Sequence, residues 1–287
     1  MMQKEALFYE KNGETVTCGL CPRRCVLREG QTGFCSARVN SGGTLFAENY
    51  GRISSIALDP IEKKPLKRFF PGSVILSAGS YGCTMSCAFC QNFSISQMKP
   101  RTDFLPPEKL LEAALSIPGN LGIAFTYNEP FTGIEYILDV APLLRKRGLK
   151  TVLVTNGMIL EEPLSVLLPL VDAMNIDLKA FSPEFYQRHN GSFETVKKTI
   201  ETCAQSCHVE VTTLIVPDEN DSEEEMAALA GWLASVPSAS GGIPLHITRF
   251  FPRFKMKDKQ PTPLKTVFSL VDRAKQRLTY VYAGNVN

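Results

Sequence analysis

Three cysteines in the middle of the chain have the spacing of a metal-binding loop. Cys83, Cys87 and Cys90 form a Cys-x3-Cys-x2-Cys pattern with no further cysteine close in sequence. A cuboidal [4Fe-4S] cluster takes four ligands, so three thiolates leave one iron free to bind an external amine and carboxylate. A zinc site at this position would need a fourth ligand from a distant part of the chain. The spacing therefore favours a cluster with one open coordination position, which the methionine end of S-adenosylmethionine (SAM) would fill.

A second group of cysteines lies near the N-terminus. Cys18, Cys21, Cys25 and Cys35 belong to a Gly-containing segment with too few apolar residues to form a core of its own. Four thiolates complete a tetrahedral zinc site, and they equally satisfy a fully ligated iron–sulfur cluster. The pattern therefore predicts a second metal centre that is either zinc or iron–sulfur, with free thiols as the alternative.

The elements that must position these cysteines are predicted from the hydrophobic pattern. Short, nearly continuous apolar runs rich in β-branched residues alternate with stretches that have apolar residues at helical spacing. This alternation predicts an α/β fold with a parallel sheet, specifically a partial TIM-like (β/α)6 barrel with an N-terminal Cys-rich extension. The expected strands cover residues 74–79, 121–127, 151–157, 173–180, 209–217, 244–250 and 279–285. The expected helices cover residues 107–117, 131–147, 162–171, 193–205, 222–235 and 263–277.

Length, composition and charge limit the classes of protein. The chain has 287 residues, 44% of them hydrophobic, which allows one large domain with an addition. We expect an N-terminal Cys-rich extension and irregular linker over residues 1–72 and a core barrel over residues 73–287. Lys and Arg number 31 against 29 Asp and Glu, so the net charge of +2 offers no broad basic field for nucleic acid or a membrane.

Cysteine usage and the absence of long apolar runs predict a location. The N-terminus lacks the apolar run of a secretory signal, and no stretch approaches the roughly 18–20 apolar residues of a membrane span. We therefore expect a cytoplasmic protein whose nine cysteines stay reduced, which favours metal ligation over disulfides. Cys203 and Cys207 belong to neither group and are expected to be small buried hydrophobes.

Polar residues follow several expected strands, where a parallel α/β fold builds its active site. Tyr127, Asn128 and Glu129 end the second strand, and their amide and carboxylate can accept hydrogen bonds from an ammonium, although they also suit a helix cap. At the next two strand ends lie Thr155 with Asn156 and Asp177 with Lys179, which a ligand's hydroxyl or carboxylate groups would satisfy, as would an internal ion pair.

The motif and its setting resemble the radical SAM superfamily over roughly residues 74–250. The resemblance implies that Phe89, just before the last cysteine of the motif, lies near the adenine of SAM. The residues Gln91-Asn92 after that cysteine make the chain most similar to the pyruvate formate-lyase activating enzyme type. The same likeness implies that the strand-end residues above line the SAM site and that His246 contacts SAM or substrate, although a lone strand histidine is more often structural. Val154 replaces an Asp that often belongs to a cation site in that type.

Longer strings resemble one family within the superfamily, the AmmeMemoRadiSam system radical SAM enzymes. The strings include CGLCPRRCVLREGQTGFCSAR, DPIEKKPLKRFFPG, YGCTMSCAFCQN and LHITRFFPRFKM. This resemblance implies AMMECR1-like and Memo-like partner proteins and a reductant such as flavodoxin or ferredoxin.

The combined reading predicts an oxidoreductase that cleaves SAM reductively at a [4Fe-4S] cluster. The products would be methionine and a 5′-deoxyadenosyl radical that abstracts hydrogen from a protein or small-molecule substrate. Likeness to the activating enzymes would make that hydrogen one on a glycine Cα. The alternative is a non-enzymatic iron–sulfur or zinc protein in electron transfer or assembly, which would have no use for an open coordination position.

Overall fold

The computed structural model of the protein describes residues 4–286. Its N-terminal part consists of short antiparallel strands in two small sheets, with order β1-β6-β5 and β2-β3-β4, and a separate pair, β7 with β10. Their bounds are β1 Lys4–Glu5, β2 Tyr9–Asn12, β3 Thr15–Cys18, β4 Val26–Leu27, β5 Arg38–Ser41, β6 Thr44–Ala47, β7 Arg52–Ile53 and β10 Asp103–Phe104. Each of these strands is two to four residues long.

The main body is an eight-stranded sheet with order β8-β9-β11-β12-β13-β14-β15-β16. From β9 onward every neighbouring pair is parallel, whereas β8 runs antiparallel to β9. The strands are β8 Ser55–Pro60, β9 Val74–Gly79, β11 Asn120–Phe125, β12 Lys150–Thr155, β13 Ala173–Asp177, β14 His208–Ile215, β15 Leu245–Arg249 and β16 Val281–Gly284. The seven parallel strands correspond to the seven predicted apolar runs, so the predicted α/β partial barrel is confirmed.

Eight helices occur in the described residues, and the longer ones cover one face of the sheet. They are α1 Phe93–Ser96, α2 Pro107–Leu115, α3 Ile134–Arg145, α4 Glu161–Leu167, α5 Pro183–Arg188, α6 Phe193–Ala204, α7 Glu223–Ser235 and α8 Leu264–Lys275. Helix α7 begins with a side-chain cap, because the Ser222 hydroxyl accepts a hydrogen bond from the backbone N–H of Glu225. Within residues 4–286, no helix combines the length and apolar composition needed to cross a bilayer.

The two faces of the sheet pack against different partners. Leu76, Leu153 and Met174 belong to the large core that includes the helices. Their neighbours Ile75 and Val152 point to the opposite, concave face and form a second core with Ile61, Leu66, Phe69, Ala124 and Ala173. Because side chains alternate along a strand, this division separates the outside of the barrel from its inside. Residues 61–72, which we name the plug segment, therefore fill the inside of the barrel.

The plug segment is held by a buried carboxylate on β14. Glu210 accepts hydrogen bonds from the backbone N–H groups of Lys67, at 3.0 Å, and Arg68, at 2.7 Å. The same carboxylate contacts the Nε2 atoms of His208, at 3.0 Å, and His246, at 2.6 Å. The sequence indicated an irregular linker here because of its prolines and the final Pro71-Gly72. In the structure those few residues are buried, and β8 of the large sheet lies on the N-terminal side of the expected boundary at residue 72, which stays a prediction.

A buried ion pair joins the N-terminal sheets to the barrel. Arg38 on β5 donates from Nη2 to both carboxylate oxygens of Glu135 on α3, each at 2.9 Å. Both side chains are almost completely inaccessible to solvent. Removing one partner of such a pair leaves an uncompensated buried charge, which costs about 3–5 kcal/mol. The N-terminal extension is thus fixed to the barrel by its core, its hydrogen bonds and this pair.

Candidate SAM and iron–sulfur site

The three predicted cluster ligands line one cavity at the C-terminal end of the barrel strands. Cys83, Cys87 and Cys90 lie in the loop after β9, around a space of about 360 Å³. That volume falls within the range of about 300–1,000 Å³ usual for small-molecule sites. Burial raises the pKa of the Cys83 thiol well above its ordinary value, and burial raises that of Cys87 to about 12, with the ammonium of Lys179 acting in the opposite direction. A bound cationic centre would remove this penalty by stabilising the thiolates.

The opposite wall of the same cavity comes from the ends of β11, β12 and β13. The sequence-predicted residues that line it are Tyr127, Asn128, Glu129, Thr155, Asn156, Asp177 and Lys179, while Phe89 lines the cavity from the cysteine loop. The structure therefore brings eight of the nine predicted SAM-contacting residues together with the three cysteines. Parallel strands explain the convergence, because their carboxyl ends share one edge of the sheet.

Glu129 is the most densely hydrogen-bonded carboxylate of the cavity. Its Oε1 accepts from the Thr155 hydroxyl, at 2.7 Å, and the Phe131 N–H, at 3.1 Å, while its Oε2 accepts from the Asn156 N–H at 2.8 Å. Burial nevertheless raises its pKa to about 7, and the negative charge of Asp177 adds to that rise. An ammonium group placed beside Oε2 would favour the ionised carboxylate. The helix-cap alternative also holds in part, since the contact with Phe131 caps the short 3-10 turn that follows.

Asn156 connects the strand end to the cysteine loop. Its Nδ2 lies 3.1 Å from the Thr84 hydroxyl and 3.5 Å from the sulfur of Cys83. Its Oδ1 accepts from the backbone N–H of Met158 at 2.9 Å. Hydrogen bonds to cluster-ligating sulfurs are one way a protein sets a cluster's reduction potential. Asn156 is therefore placed to orient and tune the Cys83 thiolate.

Asp177 and Lys179 form the internal ion pair that the sequence left as an alternative. The two side chains are 2.7 Å apart. Burial would lower the pKa of Lys179, but the Asp177 carboxylate and the nearby Cys87 outweigh it and raise that pKa above its ordinary value. Because both groups also line the cavity, a ligand carboxylate can share the lysine charge without leaving either group unpaired.

The structure adds Asp59, which sequence reasoning did not single out. Its carboxylate accepts from the Tyr127 hydroxyl, at 2.7 Å, from Lys64, at 2.8 Å, and from Ser77, at 2.9 Å. Burial acts to raise its pKa, but these hydrogen bonds outweigh burial and lower the pKa to about 2. Asp59 precedes the barrel in sequence, and the antiparallel pairing of β8 with β9 brings it within hydrogen-bond distance of Tyr127, which itself lines the cavity. No sequence signal marks that pairing.

Asn128 and Phe89 are held by different neighbours. The Oδ1 of Asn128 accepts from the Ser80 N–H at 2.9 Å, which fixes the start of the cysteine loop. Phe89 packs against Phe185 and His189, with ring centroids 5.9 and 5.1 Å away. These contacts hold one face of the aromatic ring and leave it at the cavity wall, where a flat ligand could stack.

His246 is placed apart from the other predicted residues. It is buried on β15, with its Nε2 2.6 Å from Glu210 and its ring 5.3 Å from that of Tyr282. The residues that line the large cavity include Thr248, two positions further along the same face of the strand, but not His246. Contact of His246 with SAM or substrate stays a prediction.

The four N-terminal cysteines surround a cavity of their own. Cys18, Cys21, Cys25 and Cys35 line it together with residues that include Arg23, Arg38 and Thr84. Burial raises the pKa of Cys21 to about 12, and the other three thiols of the set add to that rise. The four cysteines therefore face one cavity, and by number they suffice for a tetrahedral zinc site or a fully ligated cluster.

The two remaining cysteines line neither of these cavities. Cys203 and Cys207 are buried, as expected for small hydrophobes.

Among residues 4–286, no group of three or more His, Cys, Asp or Glu side chains is arranged around a point as ligands of a single metal ion. A cuboidal cluster places iron and sulfide between its thiolates and so spaces them more widely than one ion does. The three thiols around the large cavity fit such a cluster by number, chemistry and the open space beside them.

The fold and this cavity define a partial α/β barrel with three thiols beside a cavity of small-molecule size at its strand ends. The sequence pattern of the radical SAM superfamily matches residues 78–230. Among characterised folds, the chain is similar to a domain of pyruvate-formate lyase-activating enzyme from Bacteroides vulgatus, with 17% identity over 57% of this chain and 99% of that domain and a TM-score of 0.50. It is also similar to SuiB of Streptococcus suis, with 13% identity over 72% of this chain and 47% of that one and a TM-score of 0.55. At these identities the likeness concerns the fold.

A sequence relative covers almost the whole chain. The uncharacterised protein MJ0808 of Methanocaldococcus jannaschii is 39% identical over 99% of this chain and 85% of its own length. The chain belongs to the radical SAM superfamily. Enzymes of this class use a [4Fe-4S] cluster and SAM.

Proposed function

We propose that this chain is an enzyme that cleaves SAM reductively and abstracts hydrogen from a substrate. The observation that carries this proposal is one cavity lined both by three thiols and by polar side chains from three neighbouring strand ends. A bound cluster supplies one electron that breaks the bond between the sulfonium and C5′ of SAM, giving methionine and a 5′-deoxyadenosyl radical. Within this proposal the chain is an oxidoreductase similar to pyruvate formate-lyase activating enzyme.

Each side of the cavity has its own part in holding SAM. Cys83, Cys87 and Cys90 would hold the cluster, and the three thiolates would leave a coordination position for the methionine end of SAM. Glu129 accepts a hydrogen bond from the ammonium on the free side of Oε2, with Thr155 and Asn156 holding the carboxylate in place. This arrangement orients the sulfonium toward the cluster.

The remaining wall residues orient the nucleoside end. Asp177 accepts hydrogen bonds from the ribose hydroxyls, and Lys179 binds the SAM carboxylate while remaining paired with Asp177. Phe89 packs against the adenine. Tyr127 and Asn128 shape the rest of the cavity. Both are held by the cysteine loop, because Asn92 donates to the Tyr127 carbonyl and the Ser80 N–H donates to Oδ1 of Asn128.

The substrate and partners form the finer part of the proposal. We take a protein as the substrate class, with hydrogen removed from a glycine Cα, because the residues around the cysteine motif resemble those of the activating enzymes. Flavodoxin or ferredoxin would supply the electron, and AMMECR1-like and Memo-like proteins are the partners implied by the longer strings. Nine cysteines without a disulfide among residues 4–286 suit a reducing compartment such as the cytoplasm. Residues 1–72 would act as an extension that serves the core of residues 73–287.

Anaerobic reconstitution with iron and sulfide, followed by reduction with dithionite, tests the enzymatic proposal. The wild-type protein should convert SAM to 5′-deoxyadenosine and methionine, measured by chromatography. Cys83→Ala, Cys87→Ala and Cys90→Ala variants should each lose this conversion, whereas the matched variant Cys203→Ala, which changes a buried thiol outside the cavity, should retain it. A fully loaded wild-type cluster that produces no 5′-deoxyadenosine would refute the proposal and favour a non-enzymatic iron–sulfur protein.

A further inference from the structure

The two cysteine sites share a wall that is one peptide thick. Gly82 has a φ of +93°, and a Cβ built on it would lie 2.4 Å from the carbonyl oxygen of Cys35. The next two residues face in different directions, since Cys83 lines the large cavity and Thr84 lines the four-cysteine cavity. Asn156 touches both the Thr84 hydroxyl and the Cys83 sulfur. A centre bound by the four cysteines would therefore be the immediate neighbour of the three-cysteine site.

The four-cysteine cavity also contains hydrogen-bond donors that have nothing to donate to. The buried Nε–H groups of Arg23 and Arg38 have no acceptor among residues 4–286, although both arginines line this cavity. A buried donor without a partner costs about 1–3 kcal/mol. Thiolate and sulfide sulfurs of a cluster would accept these bonds, and hydrogen bonds to its sulfurs make a negatively charged cluster easier to reduce. The cavity thus provides both ligands and tuning groups.

The outer side of this site is a basic surface with an apolar centre. Residues 22–29 contain three arginines and one acidic residue, Glu29, and Arg24 and Arg28 are exposed. Between them Val26 is 64% exposed, and nearby Phe34 is 40% exposed with the Arg23 guanidinium 3.6 Å above its ring. Since the whole chain has a net charge of only +2, this concentration of positive charge is local. Its charge complements an acidic protein.

We infer that the four-cysteine site holds a redox-active iron–sulfur cluster, and that electrons enter the enzyme there from an acidic carrier protein docked on Arg24, Val26, Arg28 and Phe34. A reduced ferredoxin loses one electron, the four-cysteine cluster gains it, and the electron then passes across the Gly82–Thr84 wall to the centre held by Cys83. No proton or other group moves in either transfer. This inference rests on the proposed function, because only SAM cleavage requires the electron at the second centre. A zinc ion cannot take part, since it has no accessible second oxidation state.

The identity of the N-terminal centre is tested without relying on activity. A Cys83→Ala/Cys87→Ala/Cys90→Ala variant, reconstituted anaerobically, should retain iron and sulfide in equal amounts and give a paramagnetic signal on reduction. Adding Cys21→Ala should remove both the metal and the signal, whereas adding Cys203→Ala should not. Zinc in place of iron and sulfide, or a complete absence of metal in a folded triple variant, would overturn the inference.

The docking surface is tested by changing charge at the surface while leaving the ligands intact. An Arg24→Glu/Arg28→Glu variant should lower the rate of 5′-deoxyadenosine formation driven by reduced ferredoxin on the order of tenfold at low salt, while its dithionite-driven rate stays at the wild-type value. The matched reversal Lys146→Glu/Arg147→Glu, at exposed positions after α3, should change neither rate. Equal ferredoxin-driven rates in the two reversals would refute the docking surface. Absence of dithionite-driven cleavage in the wild type would instead refute the proposed function, and the metal analysis of the triple variant would still decide the nature of the four-cysteine centre.

Discussion

Replacing Glu129 with Gln should weaken SAM binding far more than it weakens the fold. The carboxylate already accepts three hydrogen bonds, from the Thr155 hydroxyl and from the Phe131 and Asn156 backbone N–H groups. A Gln can keep the two bonds of Oε1 but must point an N–H₂ group at either Asn156 or the incoming ammonium. Hydrogen bonds to charged groups contribute about 1.5–3 kcal/mol, which corresponds to roughly 10- to 150-fold in the dissociation constant for SAM.

The pH dependence of binding separates this role of Glu129 from a purely structural one. Burial raises its pKa to about 7, so the carboxylate is largely protonated below that pH and ionised above it. SAM affinity should therefore rise as pH increases through about 7 and then level off, whereas the Gln variant should show no such step. Equilibrium binding to the oxidised, reconstituted protein measures both curves. Glu161→Gln, at an exposed position in the first turn of α4, is the control. A Gln variant that binds within about twofold of wild type, or that keeps the step, would refute this reasoning.

Three further predictions concern the elements that hold the site. Glu135→Gln leaves Arg38 unpaired and should lower the free energy of unfolding by about 3–5 kcal/mol, and a change below about 1 kcal/mol in denaturant titration would contradict the importance of that pair. Burial acts to raise the pKa of Glu210, but the hydrogen bonds that it accepts outweigh burial and lower its pKa from 4.5 to about 2. Its ionised form should therefore add about 3 kcal/mol to the free energy of unfolding above pH 4.5, and this contribution should be lost as the pH falls toward 2. In the Glu210→Gln variant the free energy of unfolding should fall less steeply at acid pH, and an unchanged fall would count against this hydrogen-bond network. Gly82→Ala should reduce iron loading because its Cβ would collide with backbone at 2.4 Å, whereas Gly72→Ala, also at positive φ but with nothing within 4 Å, should load normally; equal iron content in the two variants would show that the close approach is unimportant.

The barrel and the strand-end residues could be predicted because their signals are local. The strand from residue 151 and the strand from residue 173 are continuous apolar runs, and each ends in a polar pair that faces the cavity. Parallel topology then places such pairs on one edge without knowledge of the packing. The spacing of Cys83, Cys87 and Cys90 contains the cluster-binding pattern within one loop, which is why the site residues converge as expected.

The remaining features depend on contacts between distant parts of the chain. The plug segment buries only a few apolar residues, separated by lysines, and its anchor Glu210 lies more than a hundred residues further on. Arg38 and Glu135 are 97 positions apart, and nothing in the sequence near either residue indicates its partner. The common wall of the two cysteine sites depends on Gly82 approaching Cys35, which is a tertiary contact. Residues whose role depends on such contacts cannot be found from periodicity or spacing.

The plug segment limits how molecules can reach the cavity. Ile61, Leu66 and Phe69 fill the barrel beneath the site, and Lys67 and Arg68 lie over the rings of Tyr282 and Tyr280 on the side where the sheet is open. The barrel interior below the cysteine loop is therefore filled by side chains, and the large cavity lies above it at the carboxyl ends of the strands. Under the proposed function, SAM and the substrate would both have to bind at that end of the barrel rather than inside it.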